Sequence, residues 1–173
     1  YTVKAAQTDE SYGEVTISGC DADSNLLYEQ TADGIKITGV SDNTISELVI
    51  PESISGNSVT EIGENAFYNS AIEKLTVPSS VEKIDNGALH GMDQLQELTI
   101  PYVGEQKNAT GKQGLFGYIF GSDEENTENN TTTQNYSSSE TYESVVPASL
   151  RKVTVTDAQI LSYGAFHNCA NIE

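Results

Sequence analysis

Few residues in this chain have the types and spacing that chemistry needs. Only His90 and His167 are available as a general base or imidazole ligand. A Ser-His-Asp arrangement needs a histidine held against a nucleophile. Both histidines instead follow an apolar pair, Ala88-Leu89 or Ala165-Phe166, as Tyr68 follows Ala66-Phe67. If those pairs mark one recurring structural position, the histidines lie in an outward column, about two strand spacings or ~10 Å apart. That is too far to share a metal unaided, and they read as surface histidines. Cys20 and Cys169 lie at opposite ends of the chain with no CxxC spacing, so both read as free, Cys169 as a small buried apolar residue. Asp123-Glu124-Glu125-Asn126 offers oxygen ligands but lacks the spaced pattern and mid-loop glycine of a calcium loop, and reads as a solvated acidic loop. Among 26 acidic residues, no motif singles out the paired carboxylates of a glycosidase. No phosphate-cradling loop occurs. The expectation is a non-catalytic chain without metal or cofactor.

Charge narrows the partners. Eight basic against 26 acidic residues leave a net charge of −18, which repels phosphates and anionic membrane surfaces. Nucleic acid is therefore excluded as a partner. No apolar run approaches the ~20 residues that span a bilayer, so direct membrane insertion is not expected. A composition rich in Ser, Thr and Asn points to a secreted or cell-surface location. Tyr1-Thr2-Val3-Lys4 lacks the apolar stretch of an export signal, which is expected to have been removed already. The sequons Asn108-Ala109-Thr110 and Asn135-Tyr136-Ser137 matter only in a eukaryotic secretory host.

What must position any functional residue is an internal repeat. Ile45-x-x-Leu48-x-Ile50-Pro51 recurs as Ile72-x-x-Leu75-x-Val77-Pro78, Leu95-x-x-Leu98-x-Ile100-Pro101 and Leu150-x-x-Val153-x-Val155, at intervals of 27, 23 and 55 residues. A second block follows each: Val59-x-x-Ile62-Gly63-x-x-Ala66-Phe67, Val81-x-x-Ile84-Asp85-x-x-Ala88-Leu89, and Ala158-x-x-Leu161-Ser162-x-x-Ala165-Phe166. In the third unit Leu115-Phe116 is expected at the Ala-Phe position. Alternate residues of each short strand face one side, and one unit is too small to cover its own flat faces, so neighbours must stack. Proline after the strand lacks an N–H and turns the chain out of the sheet. Gly63 suits a tight corner.

These residues resemble the BspA-like leucine-rich-repeat family, whose unit reads roughly L-x-x-L-x-I-P…V-x-x-I-G-x-x-A-F-x-x-C. Leu75 to Met92 and Ser46 to Ser70 match best, Cys169 takes the cysteine position, and the likeness covers about residues 34–173. Asp85 and Ser162 replace the glycine, Ser70 and Met92 replace the cysteine, and the third unit is much lengthened. The resemblance implies a leucine-rich-repeat solenoid, a β-rich right-handed coil stack with a short parallel sheet. It also implies a surface-exposed bacterial (or protist) protein engaged in adhesion, with no conserved active site.

Two alternating segments, Glu14–Gly19 and Gly34–Gly39, precede the array and predict a hairpin-like N-terminal β cap. The expected division is 1–44 for the cap and 45–173 for about four coils, with an insertion at about 102–146. Asn171-Ile172-Glu173 falls where another strand should begin, so the C-terminal end reads as truncated. In the insertion, Gly114 to Gly121 carries the aromatics and Ser122 to Ser144 is polar. Either the aromatics anchor the coil while the polar run extends into solvent, or Tyr118 and Phe120 line a ligand loop.

Two columns are expected on the strands. Glu47, Lys74, Glu97 and Lys152 would alternate in sign about 4.8 Å apart on parallel strands, selecting register more than adding stability. Beside them Val49, Thr76, Thr99 and Thr154 form a flat candidate binding strip. The function expected is a binding or adhesion module for a host or matrix protein, or a surface glycan. A structural spacer is the alternative, and a glycan-active enzyme fragment the remote one.

Overall fold

The computed structural model describes residues 17–21, 24–122, 131–157 and 160–173. Glu14 to Thr16, Asp123 to Asn126 and Ala158, which the sequence reading used, lie outside them. The chain is a β-rich repeat fold with two facing sheets. The front sheet holds β4 (Glu47–Val49), β7 (Lys74–Thr76), β9 (Glu97–Ile100) and β12 (Lys152–Val155). They run in the order β12-β9-β7-β4, every pair parallel. Leu48, Leu75, Leu98 and Val153 stand opposite one another in that register. Leu48, Leu75 and Leu98 are buried, whereas Val153 on the edge strand is half-buried. We number the coils from these strands: residues 45–71, 72–94, 95–149 and 150–173.

The back sheet carries the return path. β3 (Ile35–Val40) pairs parallel with β6 (Asn57–Ile62), and β6 with β8 (Lys83–Ile84). Val59, Ile62, Val81 and Ile84 project into the same core as Leu48, Leu75 and Leu98. Each large apolar side chain so buried contributes roughly 1.5–3 kcal/mol. A two-residue turn at Ser55 and Gly56, both with positive φ (51° and 83°), links β5 (Ser53–Ile54) to β6.

Two N-terminal strands were expected, and the described residues hold three. β1 (Ile17–Asp21), β2 (Leu26–Gln30) and β3 form an antiparallel meander, so the two predicted segments do not pair with each other. β2 lies between them, with Leu26 and Tyr28 buried.

The turn after each return strand obeys a rule that the apolar pattern does not show. Asn65, Gly87 and Gly164, each just before the alanine, have φ of 56°, 70° and 70°. Asn69, Gly91 and Asn168, four residues on, have φ of 55°, 70° and 61°. Left-handed backbone at two fixed points admits Gly or Asn at least cost. Gly63 has a different reason from the one expected: its φ is not positive, and an added Cβ would stand 2.8 Å from Lys36 Cε.

The third coil departs most. Asn65 N donates to Gly87 O (3.1 Å) and Phe67 N to Ala88 O (3.4 Å). One coil further, Gly87 N donates to Tyr118 O (3.2 Å) and Leu89 N to Ile119 O (2.8 Å). Ile119-Phe120 therefore takes the Ala-Phe position against the second coil. Leu115-Phe116 takes the expected Ala-Phe position against the fourth coil: Phe116 N donates to Ala165 O at 2.9 Å, as Phe67 N does to Ala88 O, and its ring lies 4.8 Å from Phe166. One coil thus supplies two rungs to the back wall, through 3₁₀ turns at Gly111–Gly114 and Phe116–Phe120.

Candidate functional site

The register brings the four strip residues together. Val49, Thr76, Thr99 and Thr154 are direct neighbours across β4, β7, β9 and β12. Val49 is 59% exposed, Thr154 is exposed, and Thr76 and Thr99 are half-buried. Glu47, Lys74, Glu97 and Lys152 occupy the adjoining row in the same register. Lys74 Nζ lies 3.1 Å from Glu97 Oε1, and that hydrogen bond holds the ammonium above its ordinary pKa.

A second charged row, not anticipated, crosses the back sheet. Lys36, Glu61 and Lys83 are register neighbours on β3, β6 and β8. Lys36 Nζ lies 2.8 Å from both Glu61 Oε1 and Asp85 Oδ2, while Lys83 Nζ lies 2.5 Å from Asp85 Oδ1. Burial pushes the Asp85 carboxyl up, but hydrogen bonds from Lys36 and Lys83 outweigh it and its pKa ends below the usual value. Asp85 stands where the first coil has Gly63, so the substituted glycine position ties three strands together.

The insertion is built in, not frayed. β10 (Thr132–Asn135) pairs antiparallel with β11 (Thr141–Ser144), so much of the polar run is a hairpin. Its inward residues are Gln134, Tyr142 and Ser144, all buried. Gln134 Oε1 accepts from Gly117 N at 2.6 Å, and its Nε2 donates to Ala165 O at 2.8 Å, joining third and fourth coils. Asn86 Nδ2 donates to Tyr118 O (2.9 Å) and Tyr142 Oη (3.1 Å), tying in the second coil.

This packing changes the loop candidates. Phe120 is fully buried with its ring 5.3 Å from Phe116, so it is a core residue and not a surface contact. Tyr118 is half-buried; its hydroxyl donates to Glu105 Oε1 at 3.3 Å, and burial with that carboxylate pushes its pKa up to about 12. His90 stacks on Tyr68 with ring centroids 5.4 Å apart, and His167 is exposed. Among the described residues no cluster of three His, Cys, Asp or Glu side chains is arranged to hold a metal. Both cysteines are free; Cys169 is half-buried, less than expected, and burial pushes its thiol up to about 11.

Residues 36–110 match the profile of the BspA type leucine rich repeat region, in six copies. Residues 36–110 carry BspA-type leucine-rich repeats. The matched repeats include β4, β7 and β9 and end inside the third coil, where the insertion begins. No curated protein matches. Among solved structures, the leucine rich repeat protein of T. pallidum (TpLRR) is 28% identical over 47% of this chain and 43% of that one, with a TM-score of 0.38. The chain thus spans less than half of that protein's length. Leucine-rich repeats of this kind are generally non-catalytic, suggest a protein-binding module and are typical of bacterial surface proteins. Among the described residues no helix is long and apolar enough to cross a membrane.

The repeats also expose apolar surface outside the predicted strip. Ile160 and Tyr163 are 71% and 70% exposed, beside a cleft of about 410 Å³ that Leu161, Tyr163 and Phe166 share with Asn135 of the insertion. Leu161 is itself exposed, although it occupies the repeat position of the buried Ile62 and Ile84.

Proposed function

We propose that the chain is a non-catalytic binding module of a secreted or cell-surface bacterial protein, docking a host or matrix protein on the front sheet of a leucine-rich-repeat solenoid. The observation that supports this reading is the unbroken register of Val49, Thr76, Thr99 and Thr154 across parallel strands. A buried file behind them fixes the spacing, so little conformational entropy is lost on docking. The hydroxyls offer both donors and acceptors, and the chain's charge of −18 favours a neutral or cationic partner face. Tyr118 is a peripheral candidate on the insertion.

In this reading residues 1–44 close the first coil as a β cap and 45–173 form the array. The meander of β1, β2 and β3 extending from β6 supports that role, because it covers the flank of the first coil.

The test replaces Thr76, Thr99 and Thr154 together with lysine and measures binding to immobilised matrix and host-surface proteins. The wild type should bind at least one of them, and the variant should lose that binding with an unchanged thermal melt. Undiminished binding by the folded variant would leave the array as a spacer.

A further inference from the structure

The fourth coil turns one face away from the third, and its apolar positions there are open. Leu161 is 51% exposed, whereas Ile62 and Ile84 at the same repeat position are 0% and 1% exposed. Phe166 and Val155 are half-buried, while their equivalents Phe67, Leu89, Ile50 and Val77 are buried. The backbone repeats the pattern. Phe67 N and Leu89 N each donate to the following coil, and Phe166 N has no backbone acceptor among the described residues. Three of the six exposed large apolar side chains among the described residues, Ile160, Leu161 and Tyr163, fall within four positions here. The other three, Leu27, Val49 and Tyr68, are dispersed over the cap and the first coil. Clustered apolar exposure of this kind marks an interaction surface.

Charge decides what covers it. Residues 150–173 hold two bases, Arg151 and Lys152, and two acids, Asp157 and Glu173. The whole net charge of −18 therefore lies in residues 1–149, and the fourth coil is the neutral end of an acidic stack. Two copies repel least when these ends meet. β7 and β4 lie about 10 and 14 Å behind β12, beyond the ~8 Å Debye length at physiological salt. The signs within the coil are also ordered. Arg151 and Lys152 stand at the start of β12, without a carboxylate partner among the described residues, and Asp157 stands beyond its end. A twofold axis perpendicular to the front sheet reverses the strand. The basic end of one copy then meets the acidic end of the other, twice over. Asp157 already holds Lys107 at 2.8 Å and has room for a second cation, as Asp85 holds both Lys36 and Lys83.

We propose that this face of the fourth coil is a self-docking surface, on which a second copy of the chain seats end to end about that twofold. Leu161, Tyr163 and Phe166 meet their own counterparts behind β12, and Arg151 faces the partner's Asp157 at the rim. The axis keeps both front sheets on one side, so the two Thr-bearing strips lie in line. The interface stands whether or not those strips bind a host protein.

Sedimentation of the wild type from micromolar to submillimolar concentration should show a reversible equilibrium with a species of twice the 18.6 kDa chain mass. Leu161→Asp combined with Tyr163→Asp should be monomeric throughout with an unchanged melt, since both side chains are more than half exposed. Tyr68→Asp, equally exposed but on the first coil, should associate like the wild type. Arg151→Asp and Asp157→Arg should each weaken association several-fold by opposing like charges. An equimolar mixture of those two variants should recover it, because every opposed pair is again of opposite sign. A wild type that stays monomeric overturns the proposal and leaves the face to a different protein. So does a dimer that survives the Leu161 and Tyr163 replacements, or a mixture no tighter than its separate components.

Discussion

Gln134 bears more of the architecture than its place in a polar run suggests, and Gln134→Leu measures how much. Leucine keeps most of the volume of this fully buried side chain but removes both polar ends. Gly117 N, which donates to Oε1 at 2.6 Å, is left buried without its partner. Ala165 O loses Nε2 but still accepts from Phe116 N at 2.9 Å, so it stays satisfied. An orphaned buried donor costs about 1–3 kcal/mol, and the second lost bond about 1 kcal/mol more. The sum is about 2–4 kcal/mol. With a urea m-value of about 2 kcal/mol/M, the midpoint falls by roughly 1–2 M. The loss should be local. Amide exchange should accelerate at residues 114–121 and 132–144 and hardly change in the first two coils. Thr133→Ala, one residue away and half-buried, is the matched control. A midpoint shift no larger than the control's, or an unchanged exchange rate at Gly117, would refute the reasoning.

Asp85 should govern part of the acid response. Its folded pKa is depressed, so the unfolded chain binds the proton more readily. The stabilisation is complete above the ordinary carboxylate pKa of about 3.9 and is lost as pH falls through the lower folded value. Melting curves at descending pH should show Asp85→Asn less stable than wild type near neutrality, with the gap closing in acid. Gly164→Ala should cost about 1–3 kcal/mol and release the hairpin, because its Cβ would stand 1.8 Å from Asn135 O at a φ of 70°. Gly111→Ala has a similar φ of 64° but open space around it, so chemical denaturation should find only the backbone cost of about 1 kcal/mol. Lys74→Glu places like charges between Glu47 and Glu97 and should lower the melting temperature at low ionic strength, with the difference shrinking in high salt.

What the sequence made legible is what hydrophobic periodicity encodes. Leu48, Leu75 and Leu98 recur in the same pattern, 27 and 23 residues apart, because each strand repeats the same demand for burial. The charge row followed from that register without further information. Three features escaped for separate physical reasons. β2 has only two buried apolar residues, Leu26 and Tyr28, before its pattern turns polar. The hairpin of β10 and β11 faces inward with Gln134 and Ser144, which a hydrophobic period does not detect, since hydrogen bonding and not apolar transfer holds them. The two-rung third coil is visible only in which amide meets which carbonyl. Phe120 was misjudged for the same reason, since Gly-Leu-Phe-Gly-Tyr-Ile-Phe contains two apolar pairs and the sequence alone does not say which neighbour each meets. The alternation of Asn and Gly at 65, 87 and 164 was readable and unread.

That doubled rung makes the third coil a wedge. Along the front, β9 and β12 are immediate neighbours, about 4.8 Å apart, while the rear must fit one more strand width between the second and fourth coils. Over a coil depth of about 10 Å, an extra ~4.8 Å turns the stacking axis by roughly 25°. Taken up wholly as rotation, that extra width would turn β12 toward β9 and draw the ribbon of side chains from Val49 onward into a shallow trough instead of a plane. A rounded contact surface seats better there than a flat one, and removing the insertion would straighten the trough without touching a single residue in it.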